Sequence, residues 1–401
     1  MERRKVEVGE LEFGMYVAEL DRPWTETPFM FQGFLLKTEQ QLAALKKFCK
    51  HVFIDLKLGQ DITPKPAKPT APSSTRGATA YPEVVSVEAE FEQAVTVYNE
   101  SFDSIGELLK PATKQGGVLD AKEVNESIRR LTDSVVRNPD ALLLVSRLRE
   151  KSEQAHARAL QVSIYLLVFA RFLQFAREEL ELLGLLGLLQ DIGMTRLPAE
   201  LMRRQGPLKP EEGELMKRHV EYSAEILAGT PGLPPKLPEL AMLHHERYDG
   251  TGYPNGLKGE EINLYGAMAA IVDTFDALTA ARPYAEPLSP SNALSFLYKE
   301  RGSGYHPELV EQFIQCVGVF PVGSVVELNS GEIGIVITQN LVRRLKPRVM
   351  VVLDAAGNPM RPHRILDLEK EPMVSADEPY RIRRTMEQTK VTVDPREMFL
   401  S

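Results

Sequence analysis

Five metal-capable side chains stand out in the helical part of this 401-residue chain: Asp191, His219, His244, His245 and Asp273. Each falls on or at the end of a segment with helical spacing, and the helices of one bundle can turn such side chains into a shared interior site. Imidazole nitrogens with carboxylate oxygens suit a divalent transition metal such as iron, manganese, nickel or zinc. Any one of the five, taken alone, reads more readily as a surface residue or a satisfied core residue. DGTGYPNG (249–256), which follows the tandem histidines, would by itself be a run of turns. Taken together, and with the text around them, they read as a site.

Such a site needs a scaffold, and the chain from about 82 to 315 supplies a helical one. VEAEFEQAVTVYNESFDSIGELL, AKEVNESIRRLTDSVV and ALQVSIYLLVFARFL repeat apolar residues at i, i+3 and i+4. REELELLGLLGLLQDIG (177–193) is apolar nearly all round, so a central, buried helix is expected there. KPEEGELMKRHVEYSAEIL (209–227) opens on Pro and two Glu, as helix starts do. YGAMAAIVDTFDALTAA (265–281) and HPELVEQFIQCV (306–317) complete the run. The helices at 82–135 either pack on the bundle or mediate a homodimer.

The flanks differ in pattern. Residues 1–62 hold short β-type runs (KVEVGEL, MYVAEL, FQGFLL, HVFIDL) and one helical stretch, EQQLAALKKFC, which predicts a small β-rich domain. Residues 63–81 are rich in Pro, Ser and Thr and read as a linker. From 320 to 401 a small β appendage is expected, with LNSGEIG as a hairpin and a charged, loosely held tail after about 370. The expected class is therefore mainly α: an all-α bundle, with its core at about 150–315 of the helical region 82–319, between two small β parts.

Composition narrows the partners. A net charge of −8 argues against nucleic acid as the main partner. Two cysteines, Cys49 and Cys316, make neither a disulfide framework nor a thiolate zinc site. The longest apolar stretch, VSIYLLVFARFLQF (162–175), contains Arg171 and is too short for a membrane span. MERRKVEVGELEF lacks the apolar core of a secretory leader, so a cytoplasmic location is expected.

REELELLGLLGLLQDIGMTRLP, LKPEEGELMKRHVEYSAEIL, HHERYDGTGYPNGLKGEEI and IVDTFDALTAARPY together resemble the HD-GYP domain, a subfamily of the HD phosphohydrolases that cleaves cyclic di-GMP. HHE-x-x-DG-x-GYP-x-GL is a specific signature, and the likeness covers roughly 150–315. GMYVAELDRPW and FQGFLL resemble the small domain often found ahead of HD-GYP domains in bacterial proteins. The resemblance implies a helical bundle around two or three metal ions that activate water for in-line attack on a phosphodiester. By the same resemblance Asp191 is the bridging carboxylate, and His219, His244 and His245 are imidazole ligands. Asp273 is the closing carboxylate, Gly252-Tyr253-Pro254 shape the substrate entrance, and Arg282 is a phosphate contact.

The chain also departs from that pattern. Where the family has His-Asp-x-Gly-Lys, this chain has Gln190-Asp191-Ile192-Gly193-Met194. Counting back without gaps, a Glu slot falls on Gln154 and a second His slot on Arg158. His156 cannot replace Arg158, because two residues on a helix turn the side chain by about 200°. Gln is a weak neutral ligand, and Arg is a permanent cation that repels metal. The losses imply one metal ion or none. The expected function is thus a degenerate member that binds cyclic di-GMP, or a protein partner through the GYP loop, with weak or no hydrolysis. The alternatives are an active metal-dependent phosphodiesterase with an unusual ligand set, cutting cyclic di-GMP to pGpG or GMP, and a purely structural domain.

Overall fold

The structure, a computed structural model, describes residues 3–21, 34–36, 38–55, 81, 84–108, 118–149, 155–202, 204, 206, 208–280, 287–340, 343–386 and 398–399. Gln154, Arg282 and nearly all of the expected linker lie outside the described residues. The chain forms two compact units, Met1–Gly77 with Asn340–Lys346, and Ala78–Gln339 with Pro347–Ser401.

The first unit carries β1 (Arg3–Glu7), β2 (Tyr16–Leu20), β3 (Phe34–Leu35), α1 (Glu39–Phe48) and β4 (His51–Asp55). Its strands are antiparallel in the order β1-β4-β2-β3. Helix α1 starts where it does because Thr38 caps it. The Thr38 Oγ1 accepts from the Gln41 N–H at 3.2 Å and the Gln41 side chain accepts from the Thr38 N–H at 3.1 Å. Leu45 of α1 then joins Val17, Leu36 and Val52 in a small core. None of the candidate site residues lies here.

The second unit holds α2 (Val87–Leu108), α3 (Ala121–Arg137), α4 (Pro139–Leu148), α5 (Ala155–Phe172), α6 (Arg177–Leu189), α7 (Ala199–Met202), α8 (Pro210–Lys217), α9 (His219–Ala228), α10 (Leu237–Ala241), α11 (Leu264–Thr279), α12 (Pro290–Lys299) and α13 (Pro307–Val317). Helices α5 and α6 pack together at its centre, and Ser163 Oγ of α5 donates to the Gly184 carbonyl of α6 at 2.8 Å. Phe169 of α5, Phe275 of α11 and Phe313 of α13 meet edge to face in a fully buried cluster. Helices α2 and α3 pack on α4 and α5, and α3 also on α6, so the 82–135 region belongs to the bundle's packing.

Some features differ from the expected elements. The single helix expected over 209–227 breaks at Arg218, whose N–H turns back to Leu215 O at 3.2 Å in a tight turn. Helix α8 buries none of its side chains, whereas α9 buries His219, Val220, Ser223, Ile226 and Leu227. The break lets α9 alone face the core. Helix α12 was not anticipated; Ser289 caps it at Asn292 N (3.3 Å) and Pro290 occupies its first turn.

The C-terminal part forms β5 (Val325–Leu328), β6 (Ile333–Thr338), β7 (Arg348–Leu353), β8 (Pro359–Asp367), β9 (Met373–Ser375), β10 (Glu378–Pro379) and β11 (Ile382–Met386). The main sheet runs β11-β5-β6-β7-β8, all antiparallel, and β9 pairs with β10. The tail after 370, expected to be loose, is therefore structured as far as Met386. Its charges mask a pairing function: Arg383 and Arg384 donate to the buried Glu327 of β5 at 3.0 and 2.7 Å. Gln339 ties this sheet to the helices, donating from Nε2 to Val317 O and Phe320 O while its N–H donates to Asp140. Among the described residues no helix is long and apolar enough to cross a membrane.

Candidate metal centre

Helix α6 delivers the first ligand. It ends at Leu189, Gln190 closes it, and Asp191 leaves the helix with φ −98° and ψ 8° into a tight turn over Ile192–Arg196. Gly193 in that turn lies flat against the start of α9. A Cβ there would stand 2.0 Å from His219 O and 2.5 Å from Ser223 N, so only glycine allows the approach. The Gly193 N–H donates to Ser223 Oγ at 2.8 Å, which pins Asp191 beside His219.

The resulting geometry is compact. Asp191 Oδ1 lies 3.2 Å from His219 Nε2 and 3.3 Å from His244 Nε2, and the two nitrogens are 3.3 Å apart. His245 completes the group: one ligand atom from each of the four residues lies within 4.8 Å of every other. The second ring nitrogens fix the tautomers. His219 Nδ1 is 2.7 Å from Met216 O and His244 Nδ1 is 2.7 Å from Ala241 O. A carbonyl can only accept, so both Nδ1 atoms carry the proton and both Nε2 atoms turn a lone pair inward.

Three acceptors facing one another at these distances repel unless a positive charge sits among them. Either a proton or a metal ion can provide it. Burial opposes a charged His244, but the Asp191 carboxylate overrides that and raises its pKa above the ordinary imidazole value. Asp191 shows the reverse: against the effect of burial, the two imidazoles and the more distant Arg158 charge hold its carboxyl well below the ordinary range. Burial and the neighbouring His244 push His245 strongly toward its neutral, ligating form. Ligands about 2.0–2.1 Å from a tetrahedral ion stand about 3.3–3.4 Å apart. The observed edges match that spacing, and one carboxylate with three imidazoles is a donor set that fits a divalent transition metal.

The GYP loop backs this cluster. The Tyr253 ring stacks on His245 with centroids 4.7 Å apart and planes at 26°, and its N–H donates to His245 O at 3.2 Å. Lys217 Nζ lies 5.6 Å from the other partner of that stack, the Tyr253 ring centroid. Gly252 passes so close to the preceding turn that a Cβ would meet Arg247 N at 2.3 Å. Glu246, buried at 1% exposure, accepts from Asn255 N at 2.8 Å and Leu257 N at 3.0 Å, so its carboxylate fastens both sides of Gly256 to the histidine turn. Sequence reading missed Glu246, although its place directly after the histidine pair was a usable signal.

The remaining expected positions fall differently. Asp273 lies outside the four-residue group, and its Oδ1 accepts from Arg158 Nη2 at 2.8 Å. The same guanidinium donates from Nε to Asp276 at 3.1 Å. Asp276, one turn beyond Asp273 on α11, was also missed, though an i, i+3 carboxylate pair on a buried helix is visible in the sequence. His156 points elsewhere, with its ring 4.3 Å from that of Phe102. Met194 is half-buried in the turn after Asp191. Gln190 is 1% exposed, and among the described residues neither its Oε1 nor its Nε2 has a hydrogen-bond partner. A carboxamide buried beside the cluster without partners is costly, so this position asks for a ligand or water.

Comparison with known proteins bears on the same residues. An HD-domain profile matches residues 143–309, a domain of unknown function (DUF3391) matches 3–124, and a KOW domain associated with HD domains matches 325–380. A cyclic di-GMP phosphodiesterase of Pseudomonas aeruginosa is 31% identical over 91% of this chain and 89% of its own length. A cyclic di-GMP phosphodiesterase of Thermotoga maritima is 40% identical over 32% of this chain and 35% of its own. A 3'3'-cGAMP-specific phosphodiesterase of Vibrio cholerae is 32% identical over 43% and 33%. Among solved structures, an HDG"Y"P protein from Bdellovibrio bacteriovorus aligns with a TM-score of 0.47 at 14% identity, over 78% of this chain and 98% of that one.

Proposed function

Because this chain belongs to the HD-GYP family of cyclic di-GMP phosphodiesterases, we propose that it is a degenerate member that binds cyclic di-GMP with weak or no hydrolysis. The observation that carries this reading is the ion pair of Arg158 with Asp273 and Asp276. The Asp273 carboxylate is thereby taken up by a side-chain cation, and the two positions where the family pattern has histidine hold Gln190 and Arg158 instead.

Asp191, His219, His244 and His245 are the residues that would hold one divalent ion. When bound, that ion supplies a Lewis acid able to polarise a phosphate oxygen. The protein's own contributions are positional. The Nδ1–H bonds to Met216 and Ala241 aim two lone pairs inward, and Asp191 balances the charge. Tyr253 seats His245, Gly252-Tyr253-Pro254 border the ligand's entrance, and Arg282 is retained as a phosphate contact.

Metal analysis of untagged protein, calorimetry with cyclic di-GMP, and chromatography of reaction products test the proposal together. Binding without appreciable pGpG or GMP is the expected result. Sustained turnover would instead establish the second reading, an active phosphodiesterase, which the intact four-ligand cluster favours. If no nucleotide binds, the exposed residues of the GYP loop, Thr251, Asn255 and Gly256, become the surface to test for a protein partner.

A further inference from the structure

Three carboxylates converge near the cluster: Asp191 at the end of α6, and Asp273 and Asp276 on α11. One divalent ion among the Asp191 ligands leaves two negative charges without a metal. Arg158 of α5 answers them directly, with Nη2 on Asp273 and Nε on Asp276, while its charge also acts on Asp191. Asp273 and Asp276 are nearly inaccessible, with side chains 8% and 2% exposed, whereas the Arg158 side chain is 41% exposed. The guanidinium thus covers the carboxylates and keeps an open outer side. Among the described residues, its Nη1 has no hydrogen-bond partner.

We infer that Arg158 is a fixed cation of the site: it closes Asp273 and Asp276 to a second metal ion and presents its outer N–H donors to a phosphate of the bound ligand. The geometry favours both parts. A guanidinium forks across two oxygens in a plane, so two N–H groups can face α11 while others face outward. A metal ion drawn to the Asp pair would have to displace a positive charge that never dissociates, because Arg stays protonated at any relevant pH. The first part stands on the ion pairs alone; the second rests on the nucleotide binding proposed above.

Two measurements test it. Metal-stripped wild-type protein titrated with Mn2+ is expected to take up one equivalent per chain, and R158M a second, weaker equivalent at the uncovered Asp273 carboxylate. Calorimetry with cyclic di-GMP is expected to show about 10- to 100-fold weaker binding for R158M, the loss of one charge-assisted hydrogen bond. R158K, which keeps charge without the fork, is expected to lose less and to stay at one Mn2+. Should R158M fail to fold by circular dichroism, R158Q, which can still donate to one carboxylate, takes its place. Two Mn2+ equivalents in the wild type overturn the inference. So does a folded neutral variant that keeps one equivalent and wild-type nucleotide affinity. If the wild type binds no cyclic di-GMP, the proposed function and the phosphate contact fail together, and the Mn2+ count still decides whether Arg158 excludes a second ion.

Discussion

Metal uptake at the Asp191 cluster is expected to expel one proton near pH 6.5 and none well above the raised pKa of His244. The reasoning starts from the three inward acceptors, 3.2 to 3.3 Å apart, which need a cation among them. Without metal, a proton on His244 Nε2 supplies that cation at pH below its raised pKa. Its folded pKa lies above the ordinary imidazole value, so the imidazolium stabilises the metal-free fold fully below about pH 6.5 and loses that effect as pH rises through the folded value. Asp191 has the opposite sign. Its depressed pKa contributes stability above about pH 4, lost only as pH falls through the folded value. The metal-free fold is therefore firmest at about pH 4 to 6.5. A metal ion must displace the proton, so apparent affinity is expected to rise about tenfold, or about 1.4 kcal/mol, per pH unit below the raised value and to flatten above it. Calorimetry in buffers of different ionisation enthalpy counts the protons directly. Asp191→Asn removes the anion that holds the proton, so it is expected to weaken metal binding and shift proton release to lower pH. Affinity that does not change between pH 6 and 8, with no proton released at pH 6.5, would refute the account of the tautomers and of the charge between them.

Other residues carry separate expectations. The double variant Gln190→His with Arg158→His is expected to raise Mn2+ content from one equivalent to two and to bring measurable cyclic di-GMP turnover, read by metal analysis and product chromatography; one equivalent and no turnover would mean that the site has drifted elsewhere too. Glu246→Gln replaces a buried acceptor of two loop N–H groups, and a loss of about 1.5–3 kcal/mol in denaturant unfolding is expected, along with weaker metal binding as Tyr253 loosens over His245. Gly193→Ala places a methyl group against His219 O, so it is expected to part Asp191 from His219 and abolish tight metal uptake; wild-type affinity in that variant would contradict the close approach described.

Much of the site was legible because its ligands lie in short, spaced motifs. Asp191 closes an apolar helix and His244-His245 precede a glycine-rich loop, and it was the resemblance of these motifs to the HD-GYP signature that brought them together. Arg158 could be placed by counting residues back along α5, and the helical turn also told correctly that His156 would face away. What pattern could not supply was the partnership of Arg158 with Asp273 and Asp276. It joins residues more than a hundred positions apart and depends on the rotation of α5 against α11. Nothing local to Asp273 in the sequence announces that Arg158 pairs with it. The tail misled for a related reason: Arg383 and Arg384 read as loosely held charge until Glu327, on a strand far back in the sequence, is seen beneath them. The break at Arg218 escaped notice because helix propensity continues across it and only burial changes.

The strand order β11-β5-β6-β7-β8 has a consequence for how the chain is made. On a ribosome, β5 emerges more than fifty residues before the strand that covers its outer edge, and the helices that build the metal cluster emerge earlier still. During that interval β5 offers an unpaired edge, and Glu327 waits without its arginines. A nascent chain stalled before Ile382 therefore holds every cluster ligand yet has an open, apolar sheet margin. Premature termination in this region is expected to yield polypeptides that associate through β5 rather than soluble fragments with a working site.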